Sequence, residues 1–229
     1  MTRRTNARVA GFTFLFYIAV AMTGMILASR ASGGEGTAAQ LANIARHATS
    51  VRVAVVLELL GSFSALVLAV TLYAITRDQD PDLAMLAMIC RVAEGVIGGD
   101  SLARPLGRLW LATVTGQDAP DPASANALAA FLLKLPAGWS INAIFFAVGS
   151  LLFSYLLLRG RMIPVALAWV GVVASILAVV VLPLELVGVL SGPMTQLVWL
   201  PMLAFEVSLG LWLLIKGVAM PVQGLRSKV

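Results

Sequence analysis

Six ionisable or amide side chains lie inside otherwise apolar stretches, and they are the residues most suited to chemistry: Glu58, Arg91, Glu94, Asn142, Glu185 and Glu206. Arg91 and Glu94 are three residues apart, so on a helix they share one face and can form an ion pair. A carboxyl group in an apolar environment can also hold a proton, or act as a general acid or base. We therefore treat all six as candidate ligand-binding residues.

Two interpretations of these residues remain open. In the first, Arg91 pairs with Glu94 or Glu206 and only holds neighbouring helices in register. In the second, at least one carboxylate binds a ligand or a proton, because one arginine cannot neutralise four carboxylates together. Charges at bilayer depth cost ~2.5–3.5 kcal/mol each on insertion scales and normally face a protein interior or a wet cavity. Glu94 and Glu206 are the best candidates for the second role.

Other reactive groups are sparse in the sequence. It shows no nucleophile–base–acid set, no phosphate-binding loop and no intramembrane lysine, so we predict no catalytic residues and no cofactor. His47 is the single histidine, which excludes a histidine-cluster site within one chain, and we predict no metal site. Cys90, the single cysteine, cannot form an intrachain disulfide and is predicted to be buried.

Composition places these residues in a membrane protein. The 229 residues are 60% hydrophobic and only 12% charged, with a mean hydropathy of +0.94, whereas soluble domains have about 25% charged residues. The length suits a single integral membrane domain, 1–229, with about six spans of ~20 residues. The formal net charge of +5 arises from basic residues near the ends of the spans, where they contact lipid headgroups. We therefore expect membrane lipids and no nucleic acid as partners, and the sequence indicates no particular protein partner.

The apolar stretches predict an all-α, polytopic membrane helix bundle. Its six transmembrane helices are expected at about 9–29, 53–76, 83–101, 138–158, 163–190 and 196–215. The spacing in 30–52 predicts a short interfacial helix, and Pro183 is expected to break the fifth span. Between spans three and four, residues 101–135 are expected to form two short interfacial or partial helices, with a re-entrant arrangement as the alternative.

The distribution of charge predicts an orientation. With six spans, nine basic residues lie on the side of the termini and six lie on the other, in longer loops. The positive-inside rule then places both termini in the cytoplasm, and we expect a bacterial plasma membrane. At ~1.5 Å per residue, Glu58 lies ~7 Å and Glu94 ~10 Å from the outer end of their spans. The depths of the polar residues predict a cavity that is open to the outer face and sealed toward the cytoplasm.

Four segments resemble a known family: ARVAG (7–11), CRVAEG (90–95), RGRMIPVALAWVG (159–171) and FEVSLGLWLLIKG (205–217). Together they are similar to the bacterial domain-of-unknown-function 4386 family of integral membrane proteins. The resemblance spans nearly the whole chain but not residues 101–135. It implies a bacterial multi-helix membrane protein, and it supplies no activity.

Three classes of function fit these observations. The favoured hypothesis is binding or transport of a small cationic or amphipathic ligand in an outward-facing acidic pocket. The first alternative is a membrane-embedded, lipid-acting enzyme that uses Glu94 or Glu206 as a general acid or base. The second alternative is an accessory or structural subunit in which the carboxylates only order the bundle.

Overall fold

The computed structural model describes residues 1–134 and 139–219, and the regular structure in these ranges is entirely helical. This confirms the predicted all-α class. The α-helices are α1 (Arg3–Ala31), α2 (Thr37–Arg46), α3 (Ala48–Thr76), α4 (Pro81–Asp100), α5 (Ala103–Thr113), α6 (Pro122–Lys134), α7 (Trp139–Arg159), α8 (Val165–Leu186) and α9 (Trp199–Ile215). Short 3-10 helices occupy Gly116–Asp118 and Pro193–Val198.

Within the described ranges, five helical segments are long and apolar enough to cross a membrane. They are Arg3–Ala31, Ala48–Thr76, Ile141–Arg159, Val165–Leu186 and Thr195–Ile215. Helix α4 is 20 residues long, but each 18-residue window within it contains three charged residues. Charge rather than length therefore separates α4 from the five candidate spans.

Six helices close into a ring around a common interior. Helix α1 packs against α3, α3 against α4, α4 against α7, α7 against α8, α8 against α9, and α9 returns to α1. The ring closes tightly, because a Cβ atom added to Gly11 of α1 would lie 2.6 Å from the carbonyl oxygen of Gly210 in α9. Only glycine permits this approach of the two backbones.

One end of the ring, which we call the terminal end, carries the N-terminus and the α3–α4 and α7–α8 turns. Its interior is filled by the main hydrophobic core, which includes Leu72 and Leu156. Arg3 donates to the carbonyl oxygen of Ile75 at 2.5 Å. Arg159 pairs with Asp80 at 3.1 Å. These contacts connect the helix ends at the terminal end of the ring.

The other end, which we call the cap end, is covered by α2, α5 and α6, and we refer to these three helices as the cap. They pack against one another, and α2 and α5 also contact α3. A small second core joins the cap to the ring through Ala31, Ile44, Val51 and Leu109. Helix α2 thus lies between α1 and α3 in the chain, and α5 and α6 lie between α4 and α7.

Helix α6 begins with a polar N-cap. The Asp121 carboxylate accepts hydrogen bonds from the Ser124 hydroxyl at 2.5 Å, the Ser124 amide at 3.1 Å and the Ala123 amide at 3.0 Å. Because these bonds favour the ionised form, above all the one from the Ser124 hydroxyl, they lower the pKa of Asp121.

The predicted bounds differ from the helices in the structure at several ends, above all at the starts of α1 and α3, which begin at Arg3 and Ala48 rather than at residues 9 and 53. Helix α3 begins at Ala48 rather than at residue 53, so Glu58 lies ten residues into the helix, about 15 Å from its end instead of ~7 Å. Helix α8 continues through Pro183 and ends at Leu186. Proline removes only one backbone donor in the last turn, and Gly188, with φ 77°, follows the helix. Residues 135 and 138 of the predicted elements, and Arg226 and Lys228 of the basic tail, lie outside the described residues.

Candidate functional site

A cavity of about 460 Å³ lies inside the cap half of the ring. This volume is within the range of small-molecule sites, roughly 300–1,000 Å³. Its lining residues lie at 17–32 in α1 and just after it, at 51–65 in α3, at 94–108 in α4, α5 and the link between them, and at 142–146 in α7, with Ile44 of α2 and Trp199 of α9. Glycine, alanine and serine make up 14 of the 29 lining residues. The cavity exists because these side chains are too small to fill the space between the helices.

The predicted pair of Arg91 and Glu94 is present in α4. The Nη1 atom of Arg91 lies 3.0 Å from Oε2 of Glu94, and their side chains are only 1% and 5% exposed. The N–H group is not directed at this oxygen, so the contact is an ion pair without an aligned hydrogen bond. Tyr17 of α1 donates to the other oxygen of Glu94 at 3.2 Å. Glu94 thus joins a guanidinium group and a phenol at the inner end of the cavity.

Helix α7 accommodates the Arg91 side chain. The guanidinium carbon lies 4.9 Å from the centre of the Phe146 ring, which allows a cation–π interaction. A Cβ atom on Gly149 would lie 3.1 Å from Cγ of Arg91, so the glycine leaves room for the arginine side chain. The arginine is therefore a packed part of the interior as well as a charge.

Glu206 of α9 lies beside this pair but is not part of the cavity wall. It is 5% exposed and interacts electrostatically with Arg91 and Glu94. Its Oε1 atom has no hydrogen-bond partner among the residues that the structure describes. One arginine, Arg91, thus interacts with two buried carboxylates, Glu94 and Glu206. These are the two residues that the sequence suggested as its partners.

A second group of charges lies nearer the cap. Glu58 of α3 and Arg104 and Arg108 of α5 all line the cavity, and Glu58 interacts electrostatically with both arginines. Burial and the charge of Arg104 lower the pKa of Arg108, while Glu58 opposes this shift. The Nε atom of Arg108 is buried and finds no hydrogen-bond partner within the described ranges.

The remaining two candidates, Asn142 and Glu185, lie in different parts of the structure. Asn142 lines the cavity, and its Oδ1 atom has no hydrogen-bond partner in the described part of the chain. Glu185 does not line the cavity; it accepts a hydrogen bond from the Thr195 hydroxyl at 3.1 Å. The structure therefore brings Glu58, Glu94 and Asn142 to the wall, places Arg91 and Glu206 behind it, and leaves Glu185 elsewhere.

Sequence reasoning missed Tyr17, Arg104 and Arg108. A signal was available for the arginines, because they are four residues apart in a segment that also contains Pro105 and Trp110. On a helix such a pair shares one face. The sequence does not show that α5 turns this face toward the interior of the ring.

The cavity group is not arranged as a metal centre. In residues 1–134 and 139–219, no three His, Cys, Asp or Glu side chains are grouped so that they could hold a metal ion. Glu94 already contacts Arg91, and Glu58 interacts with two arginines. The chemistry of the wall is therefore that of paired charges, amide and hydroxyl groups on an apolar surface.

Comparison with known proteins identifies a family but no characterised relative. No curated protein and no solved structure matches the chain. A protein-family match extends over residues 9–217 and includes every helix of the ring, except for the first residues of α1. The chain belongs to the family described as Domain of unknown function (DUF4386), as its sequence motifs predicted.

Proposed function

We propose that this protein crosses the membrane six times and binds a small amphipathic ligand in the cavity at its cap end. The observation that carries the proposal is the cavity itself: about 460 Å³ of space with mainly apolar walls and charged groups from three helices. Binding sites for small molecules commonly combine an apolar surface with a few placed polar groups.

The contacts of α4 support its assignment as a membrane span in addition to the five long apolar segments. It occupies a place in the ring between α3 and α7. Arg91 and Glu94 are buried against neighbouring helices, as charged residues within a membrane must be. The opposite face carries large apolar side chains that are exposed and suited to lipid, namely Met85, Leu86, Ile89 and Val96.

The charge distribution supports an orientation in a bacterial plasma membrane with both termini in the cytoplasm. The terminal end carries Arg3, Arg77, Arg159 and Lys216 close to the ends of the apolar helices, as the positive-inside rule requires of the cytoplasmic side. The cavity is then in the outer half of the bilayer. Exposed apolar residues of the cap, including Trp110 and Phe131, suit contact with the outer membrane interface.

The site differs from the acidic pocket that the sequence predicts, because two arginines share the wall with Glu58 and Glu94. A purely cationic ligand would meet Arg104 and Arg108 at the cap. We therefore favour the amphipathic alternative, with the apolar part of the ligand against α1, α3 and α7 and its polar part against the charged groups.

Filling the cavity tests this function. Ala28 is an exposed residue of α1 that lines the cavity, whereas Ile26 of the same helix does not line it. Purified protein in a neutral maltoside detergent is heated with dodecyl phosphate, dodecyltrimethylammonium or dodecanol, and the unfolding midpoint is followed. We expect at least one of these amphiphiles to raise the midpoint of the wild type and of Ile26→Phe, but not that of Ala28→Phe. If no amphiphile stabilises the wild type, or if both variants respond equally, the proposal is wrong.

A further inference from the structure

We propose that the ligand carries an anionic headgroup, a phosphate or carboxylate on an alkyl chain, and that Arg104 and Arg108 bind this headgroup. The inference rests on the proposed function and defines the ligand class of the same cavity. It depends on the orientation of one cap helix, α5.

The two arginines form a matched pair. They are four residues apart in α5, so their side chains leave the same face of the helix, and both line the cavity. Each guanidinium group offers a planar set of N–H donors that fits two oxygen atoms of a carboxylate or phosphate. An oxyanion at this point could thus receive donors from two adjacent turns of one helix.

A buried, unsatisfied donor in α5 favours an anion. Of the two carboxylates in the wall, Glu94 is already paired with Arg91 at 3.0 Å. Glu58 interacts electrostatically with both Arg108 and Arg104. The Nε donor of Arg108 is buried without a hydrogen-bond partner in the described ranges, and a buried donor of this kind is costly until it is satisfied.

Repulsion between the arginines points in the same direction. Burial lowers the pKa of Arg108, and the charge of Arg104 lowers it further, while Glu58 opposes the shift. A bound anion would offset both the repulsion and the loss of hydration. A cationic headgroup in the same place would add a third positive charge.

The rest of the cavity fits an alkyl chain. Besides the charged groups, the wall presents the apolar side chains of Val20, Met25, Val55, Leu57, Phe146 and Trp199. A chain in this space would remove apolar surface from water, which favours binding. The headgroup would lie at the cap and the chain would extend toward the middle of the ring.

The test compares ligands that share one alkyl chain. Apparent affinities for dodecyl phosphate and dodecyltrimethylammonium are taken from the concentration dependence of the unfolding midpoint, in the same neutral detergent, with inorganic phosphate as a further arm. We expect dodecyl phosphate to bind at least about tenfold more tightly than the ammonium compound, and inorganic phosphate to have little effect. Arg108→Gln should weaken dodecyl phosphate binding about tenfold, the loss expected for one charge-assisted contact.

Arg52→Gln is the matched control, because Arg52 is an exposed cap-end arginine that does not line the cavity. If Arg108→Gln fails to fold, Arg108→Lys replaces it in the test. This variant keeps the charge and should retain part of the affinity for dodecyl phosphate. Equal affinity for the two amphiphiles, an equal loss in Arg52→Gln, or equal binding of inorganic phosphate would overturn this inference. Such results would leave amphiphile binding intact, whereas the absence of any amphiphile binding would overturn the proposed function itself.

Discussion

Arg91 shows how a single charged residue can be accommodated inside an apolar ring. Its partner Glu94 is one turn away in α4, its guanidinium group lies on the Phe146 ring, and Gly149 leaves space for its methylene groups. An unpaired arginine at this depth would be costly. The three contacts together explain how an arginine with 1% exposure fits into the interior of the ring.

The first prediction concerns the coupling of Arg91 and Glu94. Arg91→Leu should strongly destabilise the protein at neutral pH, because removing one partner of a buried pair typically costs ~3–5 kcal/mol in soluble proteins. The double variant with Glu94→Gln should recover part of this loss. Thermal unfolding of both single variants and the double variant in detergent measures the coupling. Arg159→Leu is the control, since that pair is exposed and should contribute only about 0–1 kcal/mol. Strictly additive losses would show that the two residues are not coupled.

A second prediction distinguishes Glu206 from Glu94. The Oε1 atom of Glu206 is buried without a hydrogen-bond partner in the described ranges, and the adjacent arginine already contacts Glu94. Glu206→Gln should therefore leave the unfolding midpoint at neutral pH unchanged or raise it, because the amide carries no charge that must be compensated. Glu94→Gln should lower the midpoint, since it leaves Arg91 without its close partner. A larger loss in Glu206→Gln than in Glu94→Gln would contradict this assignment.

At the level of helices, glycine determines where the ring can close. A Cβ atom on Gly11 would approach the backbone of Leu214 as well as the carbonyl oxygen of Gly210. A second close approach occurs at Gly95, where a Cβ atom would lie 2.9 Å from the carbonyl oxygen of Ser62 in α3. Small residues serve this purpose widely in membrane helices. The contact between α1 and α9 is therefore set by backbone packing.

The third prediction tests the contact between α1 and α9. Gly11→Ala should separate the two helices and destabilise the protein by about 1–3 kcal/mol, the usual cost of overpacking. Gly24→Ala in the same helix is the control, because its Cβ atom would make ordinary contacts of 3.6 and 3.7 Å. The control should be neutral, or more stable by about 0.5–1 kcal/mol owing to its better helix propensity. Chemical or thermal unfolding in detergent compares the two, and equal stability would argue against the close approach.

For the molecule as a whole, packing differs between the two ends of the ring. The terminal half is filled by a continuous hydrophobic core, while the cap half contains a cavity of about 460 Å³. In the proposed orientation the sealed half faces the cytoplasm. Any ligand would then enter from the outer side or from the outer leaflet of the membrane.

The fourth prediction tests this orientation. Cys90 is the single cysteine and is buried, so Cys90→Ala provides a background for single-cysteine labelling. Glu35→Cys lies in the exposed α1–α2 connection and Asp78→Cys in the exposed α3–α4 turn. A membrane-impermeant maleimide applied to intact cells should label the first variant and should reach the second only after lysis. Labelling of Asp78→Cys but not of Glu35→Cys in intact cells would show the opposite orientation. Equal labelling of both variants before lysis would contradict a six-span arrangement.

The sequence by itself determined the features that follow from periodicity and spacing. Hydropathy gave the long helices, and the three-residue separation of Arg91 and Glu94 predicted their contact, because helix geometry fixes which side chains share a face. Three of the polar residues singled out in the sequence, Glu58, Glu94 and Asn142, line one cavity, although Glu58 lies deeper in its helix than the predicted span implied. The family match confirms the resemblance that the short motifs indicated.

Only the tertiary structure decided which charges meet across helices. Glu185 belongs to the same predicted group of polar residues, yet its partner is Thr195, because the rotation of α8 is set by packing with its neighbours. Arg104 and Arg108 line the cavity because α5 packs against α2 and α3 with one particular face inward. The spacing of residues within a helix is fixed locally, whereas the direction in which each helix face points depends on packing between distant segments.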